Sequence, residues 1–124
     1  MDESTKTVGK RLAGIGVENT EENRKAYRGM LFTTKDLGNY ISGAILFEET
    51  LFQNHPDGEP MVKKLNDLGI IPGIKVDKGL NPLPGGKDVE TFCSGLDGLV
   101  ERAAKYYEQG ARFAQVESCF TDNF

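Results

Sequence analysis

Two charged side chains near the end of an apolar stretch are the first candidates for chemistry. Residues 69–79 form a short apolar run bounded by glycines, which is typical of a strand covered on both faces. Period-two alternation puts Lys75 and Asp77 on one face of this strand and Ile74 and Val76 on the other. A lysine and an aspartate that point into a packed interior are costly unless they are paired or take part in chemistry. Charges at the carboxyl end of a parallel strand therefore predict a functional site.

Two helices are predicted ahead of the first strand. Ser4 or Thr5 can cap the first helix, and Gly16 is a natural end for it. Asn19 is the predicted cap of the second, with Glu22 three residues later in a loose capping-box pattern. Apolar residues follow helical spacing in both segments: Val8, Leu12 and Ile15 in the first, and Tyr27, Met30 and Leu31 in the second.

The remainder of the chain alternates between predicted strands and helices. Strands are predicted at residues 40–47, 69–79 and 111–116, helices at 60–68 and from about 96 to 109, and a Pro/Gly-rich loop at 81–88. This alternation indicates an α/β fold, with right-handed crossovers and a parallel sheet covered by helices. The pattern alone does not separate a doubly wound sheet from part of a barrel. Polar groups at the carboxyl ends of the strands favour the barrel, whose loops build active sites there.

Composition excludes several classes of function. The 124 residues, 38% hydrophobic and 27% charged, have the size and composition of one globular unit. A formal net charge of −4 without a basic stripe argues against nucleic-acid binding. No run approaches the roughly 18 apolar residues of a membrane span, so no membrane role is predicted. Cys93 and Cys119 lack metal-type spacing and are predicted to be thiols in a reducing compartment.

Six stretches, in the same order along the chain, resemble class I fructose-bisphosphate aldolases. They are residues 2–12 (DESTKTVGKRL), 16–24 (GVENTEENR), 42–51 (SGAILFEETL), 73–79 (GIKVDKG), 95–99 (GLDGL) and 110–114 (GARFA). The resemblance implies part of a (β/α)8 TIM barrel, about half of one, since a typical barrel takes about 250 residues. It also implies cleavage of fructose 1,6-bisphosphate into two triose phosphates through a lysine Schiff base, without a cofactor or metal.

Matching motifs carry several family roles onto this chain. The aspartate that assists proton transfer corresponds to Asp2, and the lysine that puts a positive charge in the substrate cleft corresponds to Lys75. The arginine that holds a substrate phosphate corresponds to Arg11. Ser4, Thr7 and Lys10 stand near it and are further candidates for substrate binding. Two phosphates and a developing enolate require cations, and a buried carboxylate can relay protons.

The resemblance ends at about Ala114. The family continues with Lys-Trp-Arg, whereas this chain has Gln115, Val116 and Glu117. We therefore divide the chain into a partial aldolase barrel, 1–114, and a tail unlike the family, 115–124. The Schiff-base lysine of the family lies further on, and an apolar first strand precedes its Asp-Glu-Ser motif. We expect the 124 residues alone to be inactive, and the uncovered strand edges of a half-barrel to favour aggregation or dimerisation.

Two interpretations of function remain open at this point. The chain represents an aldolase of glycolysis, gluconeogenesis or the Calvin cycle, or it is a non-catalytic truncated relative that binds sugar phosphates or associates with aldolase subunits. The resemblance implies a cytoplasmic protein, with the plastid stroma as the alternative, and a homotetramer in intact relatives. The single histidine, His55, lies among turn residues and receives no role.

Overall fold

The computed structural model describes residues 1–87 and 90–117. Helices and strands alternate along this part of the chain in the following order: α1 (Thr5–Ala13), α2 (Glu21–Phe32), a 3-10 turn (Leu37–Asn39), β1 (Gly43–Leu46), α3 (Glu48–Phe52), α4 (Met61–Asp67), β2 (Ile71–Lys75), β3 (Leu80–Pro82), β4 (Thr91–Cys93), α5 (Leu99–Gln109) and β5 (Phe113–Gln115). None of these helices has the length and apolar character that crossing a bilayer requires.

Strands β1, β2 and β5 form one parallel sheet with β2 in the centre. Gly43 of β1 is opposite Ile71, and Gly73 of β2 is opposite Phe113. The Phe113 ring lies over Gly73, where a Cβ atom would come within 2.4 Å of it. The predicted parallel sheet is therefore confirmed, and β2 occupies Ile71–Lys75 within the strand predicted over residues 69–79. Within the described residues, the outer edges of β1 and β5 pair with no other strand.

The apolar core lies between the sheet and the helices. Its fully buried members include Leu46, Leu51, Met61, Leu65 and Ile70. Helix α4 contributes Met61, Val62 and Leu65 to this core. Burying these side chains is the main force that holds the helices on the sheet.

The structure confirms Ser4 as the cap of the first helix, whereas the prediction of Asn19 as the cap of the second helix is wrong. Ser4 Oγ accepts a hydrogen bond from the Thr7 N–H at 3.3 Å. In α2 the cap is Thr20, whose backbone is extended and whose hydroxyl accepts from the Asn23 N–H at 3.1 Å. Asn19 instead uses its side chain to join α1 to α2, because its amide donates to the Thr5 carbonyl at 3.3 Å.

Two predicted apolar positions are exposed. Ile15 comes after the last residue of α1 and is 74% exposed. In α2, Met30 is also exposed, and the helix buries Arg28 and Phe32 instead. The helical spacing was correct, but the face that meets the core is rotated relative to the one predicted.

The loop predicted at residues 81–88 overlaps the end of a hairpin strand at Asn81 and Pro82, and residues 83–87 belong to the connection between the two hairpin strands. Strands β3 and β4 pair antiparallel, with Leu80 opposite Cys93. Pro82 is the last residue of β3, where a missing N–H is tolerated at a sheet edge. Asp88, the last residue of the predicted loop, lies outside the described residues, as does Cys119. The prediction of two thiols thus stays a prediction.

Candidate active site

A cavity of about 590 Å³ opens where β1, β2 and β5 end. Its lining comes from the N-terminal segment, from the residues that follow each strand and from α5: Asp2, Glu3, Ser4, Thr7, Phe47, Glu48, Lys75, Val76, Asp77, Lys78, Gly79, Arg102, Tyr106 and Glu117. Carboxyl ends of parallel strands meet at one edge of a sheet, and ligand sites of α/β folds form there. The position agrees with the site predicted at the end of β2.

The N-terminal segment is fixed against the end of β1. The Phe47 N–H donates to the Met1 carbonyl at 3.0 Å, and Arg28 Nη2 donates to the Glu3 carbonyl at 3.1 Å. These two bonds bring Asp2 to the cavity, although it precedes the first helix. Ser4 reaches the cavity as the cap of α1.

A buried ion network supports this segment from behind. Arg28, which is 1% exposed, contacts Glu49 Oε1 at 3.1 Å, and Arg24 Nε contacts the same oxygen at 3.0 Å. Burial lowers the pKa of Arg28, partly offset by Glu49. Burial alone would raise the pKa of Glu49, but the hydrogen bond and charges of the two arginines outweigh it and the pKa is lowered. Thr5 Oγ1 also donates to Glu49, at 3.2 Å, which joins α1 to α3.

The ammonium group of Lys75 is a cation of the cavity lining. Its Nζ lies 3.0 Å from Asp77 Oδ2 and 3.1 Å from Glu117 Oε2. The Asp77 carboxylate also accepts from the Gly79 N–H at 2.9 Å and the Glu117 N–H at 3.0 Å. The two side chains predicted to lie on one face are thus on the same side and form an ion pair.

These contacts favour the charged forms of both groups. Burial by itself would lower the pKa of Lys75, but hydrogen bonds to Asp77 and Glu117 raise it above its ordinary value. Burial would raise the pKa of Asp77, yet hydrogen bonds from Glu117, Lys75 and Gly79 lower it. At neutral pH, Lys75 is thus an ammonium group suited to attract anions and poorly suited to nucleophilic attack.

Four of the six predicted site residues line the cavity, and two lie outside its lining. Asp2, Ser4, Thr7 and Lys75 are brought together. Lys10 and Arg11 are exposed in the last turn of α1, and Arg11 Nε donates to Glu3 Oε1 at 2.7 Å. Their role as phosphate ligands stays a prediction.

Sequence reasoning gave no role to several residues of the cavity. Glu117 follows β5 just as Asp77 follows β2, so a search for charges after every predicted strand would have found it. Glu48 follows β1 in the same way. Arg102 had no comparable signal, because it reaches the Val76 carbonyl, at 3.0 Å, from the middle of α5. His55 lies outside the lining and its Nδ1 is 3.0 Å from Asp57 Oδ1.

Metal ligation has no candidate in residues 1–87 and 90–117, where no three His, Cys, Asp or Glu side chains are grouped as ligands. The polar side chains that line the cavity carry ammonium, guanidinium, hydroxyl and carboxylate groups. Such groups can bind an anion, relay a proton and stabilise developing charge.

Comparison with known proteins identifies the family. The family model described as "Fructose-bisphosphate aldolase class-I" matches residues 1–121. Fructose-bisphosphate aldolase 3, chloroplastic, of Arabidopsis thaliana is 62% identical over 115 residues, which is 93% of this chain and 29% of the relative. The chloroplastic fructose-bisphosphate aldolase of Spinacia oleracea is 64% identical over 115 residues, with the same coverage of 93% and 29%.

A solved structure shares the fold of this chain. It is fructose-bisphosphate aldolase from Plasmodium falciparum in complex with TRAP and a small molecule inhibitor, with a TM-score of 0.87 and 60% identity, covering 91% of this chain and 32% of that chain. The prediction of a partial (β/α)8 barrel is thereby confirmed, and this chain spans about a third of the length of the relatives it matches. The boundary between residues 114 and 115 stays a prediction. The chain belongs to the class I fructose-bisphosphate aldolase family.

Proposed function

We propose that the cavity is part of the sugar-phosphate cleft of a fructose-bisphosphate aldolase. The reaction is cleavage of fructose 1,6-bisphosphate to glycerone phosphate and glyceraldehyde 3-phosphate, in glycolysis, gluconeogenesis or the Calvin cycle. The observation that supports it is the meeting of Lys75, from the end of β2, with Asp2, Ser4 and Thr7 of the N-terminal segment in one cavity. The family resemblance singled out all four residues. Lys75 is about 70 positions from the other three in the chain, and all four line the same cavity.

Each of these groups has a chemical task in the proposal. The Lys75 ammonium attracts a phosphate or a developing enolate, since a cation in a partly dehydrated site stabilises negative charge more than it does in water. Asp2 assists proton transfer. The Ser4 and Thr7 hydroxyls donate to phosphate oxygens at the start of α1, where backbone N–H groups add to the attraction.

A chimera tests whether this segment supports cleavage. Residues 1–114 replace the matching segment of the spinach chloroplastic aldolase, and release of triose phosphates is measured. We expect the chimera to cleave fructose 1,6-bisphosphate, and the substitution Lys75→Met in it to lower kcat by about 100-fold, because removing one group that stabilises transition-state charge typically has that effect. A chimera that folds but does not cleave, or whose kcat does not depend on Lys75, would refute the proposal.

We further propose that the 124 residues alone do not form a Schiff base. Lys75 and Lys78 are the lysines of the cavity lining, and the ion pairs of Lys75 raise its pKa and keep it protonated and non-nucleophilic. The purified chain is incubated with glycerone phosphate and borohydride, and its peptides are analysed by mass spectrometry. We expect no covalent adduct on Lys75, and an adduct there would contradict the assignment of this lysine as a binding group only.

The outer edges of β1 and β5, which pair with no strand in the described part of the chain, support a second candidate function. In that alternative the chain is a non-catalytic relative that binds sugar phosphates or associates with aldolase subunits. Mixing it with the intact spinach enzyme and measuring complex formation by size-exclusion chromatography tests the association. This alternative is favoured if the chain co-elutes with the spinach enzyme and the chimera described above folds but does not cleave the substrate.

For the compartment, we propose the plastid stroma. The support is that the relatives from Arabidopsis thaliana and Spinacia oleracea are named chloroplastic, whereas the expectation of a cytoplasmic protein has no comparable support. Immunodetection of the protein in purified plastid and cytosolic fractions tests this, and its detection in the cytosol alone would overturn the proposal.

A further inference from the structure

Lys75 is shared between two carboxylates of different kinds. Asp77 has no exposed side-chain surface and is bound by two backbone N–H groups as well as by Lys75. Glu117 is 49% exposed, and within the described residues its side chain makes one polar contact, the one to Lys75. The Asp77 carboxylate is therefore held in place by the fold, whereas the half-exposed Glu117 carboxylate can exchange its contact with Lys75 for contacts with water.

The contact with Glu117 lies on the solvent side of Lys75. Because Asp77 occupies the buried side of the ammonium group, an anion that enters from solvent meets Lys75 where the Glu117 carboxylate already lies. Two oxyanions cannot share that position, since like charges at hydrogen-bonding distance repel each other. An incoming anion has to displace Glu117.

The other charged residues of the cavity do not add enough positive charge to offset the competition between Glu117 and an incoming anion. Five of its charged lining residues are acidic and three are basic. Of the basic ones, Arg102 already donates to the Val76 carbonyl, which leaves Lys75 and Lys78 to attract a ligand. Removing one carboxylate that contacts Lys75 should thus change anion affinity more than removing one that does not.

We propose that Glu117 lowers the anion affinity of this cavity: its carboxylate is an intramolecular ligand of Lys75 that competes with anionic ligands. The inference rests on the proposed sugar-phosphate function, because it concerns the same cavity. Displacing a half-exposed ion pair costs up to about 1 kcal/mol, which corresponds to about fivefold in a dissociation constant. Glu117 therefore weakens phosphate binding by about fivefold without abolishing it.

Titration of the 124-residue chain with inorganic phosphate tests the proposal. Binding is followed by NMR at the backbone amide of Gly79, which lines the cavity and donates to Asp77. We expect Glu117→Gln to lower the dissociation constant about fivefold at constant ionic strength. The matched control is Glu48→Gln, which removes the same charge from the lining without touching Lys75, and we expect it to change the constant less than twofold.

The possible outcomes separate this inference from the proposed function. If wild type binds phosphate and Glu117→Gln binds it equally well, or if both variants tighten binding equally, the role of Glu117 is overturned and the phosphate site stands. If neither wild type nor Glu117→Gln binds phosphate, the sugar-phosphate function is overturned together with the inference. Far-UV circular dichroism of each variant establishes that it is folded, and Glu117→Asp, which keeps the charge on a shorter side chain, should give an intermediate constant.

Discussion

Replacing the buried Arg28 by methionine tests the network that holds the N-terminal segment at the cavity. The Arg28 guanidinium contacts Glu49 Oε1 and the Glu3 carbonyl, each at 3.1 Å, and lies 5.7 Å from the centre of the Phe47 ring. Methionine keeps an unbranched apolar stem of similar reach, so the substitution removes the charged group and leaves little empty volume.

The expected loss of stability follows from these contacts. A hydrogen bond that involves a charged group contributes about 1.5–3 kcal/mol, and breaking a buried ion pair costs about 3–5 kcal/mol when the partner is left unpaired. Glu49 retains Arg24 at 3.0 Å, which places Arg28→Met at the lower end of that range. We expect a decrease of about 3 kcal/mol in the free energy of unfolding, a large part of the 5–15 kcal/mol typical of a domain.

Urea denaturation followed by circular dichroism measures this change. With a slope of about 1.5 kcal/mol per molar urea, typical of small proteins, the midpoint should fall by about 2 M. The control is Lys63→Met, which also exchanges a salt-bridged cation for methionine, but in exposed pairs with Glu59 and Asp67. It should leave the midpoint almost unchanged. A loss below about 1 kcal/mol for Arg28→Met would refute the view that the network stabilises this segment.

Three further substitutions test the sheet, the cavity and a helix start. Gly73→Ala should destabilise the chain by about 2 kcal/mol in urea unfolding, because its Cβ would clash with the Phe113 ring, and Phe113→Leu should relieve part of that loss; additive effects would count against the clash. The lowered pKa of Asp77 means that it adds stability above the unfolded-state pKa of about 4, which is lost as the pH falls through the folded-state value. Asp77→Asn should therefore flatten the fall of unfolding free energy below about pH 4, and an unchanged slope would contradict this. Thr20→Ala should cost about 1 kcal/mol and lower helix content at the start of α2 by circular dichroism and amide exchange; no loss would mean that Thr20 is not the effective cap.

Local signals in the sequence were sufficient for the three parallel strands and for four of the helices, α1, α2, α4 and α5, but not for the short helix α3. Ser4 capped α1 because an Oγ three residues before an N–H is a short-range geometric relation. The alternation expected for residues 69–79 placed Lys75 and Asp77 on one side, and their contact agrees with it although β2 ends at Lys75. Strand and helix alternation predicted the parallel sheet.

Local signals failed where distant residues compete for the same partner. Asn19 and Thr20 both resemble caps, and the choice fell on Thr20 because Asn19 is engaged by Thr5 from the neighbouring helix. The β3–β4 hairpin was missed. Its two strands pair residues about 10 positions apart, and the Pro/Gly-rich sequence between them predicted only a loop.

The sequence by itself determined the family, the helices other than α3, the parallel strands and the four residues that meet in the cavity, because these depend on short-range spacing and on motifs read in order. Only the tertiary structure decided that Arg28 is buried behind the N-terminal segment, that Arg11 pairs with Glu3 instead of lining the cavity, and that Glu117 lies against Lys75. The physical reason is that the strength of a charge pair depends on distance and local dielectric, and for residues 42 positions apart, as Lys75 and Glu117 are, folding alone fixes both.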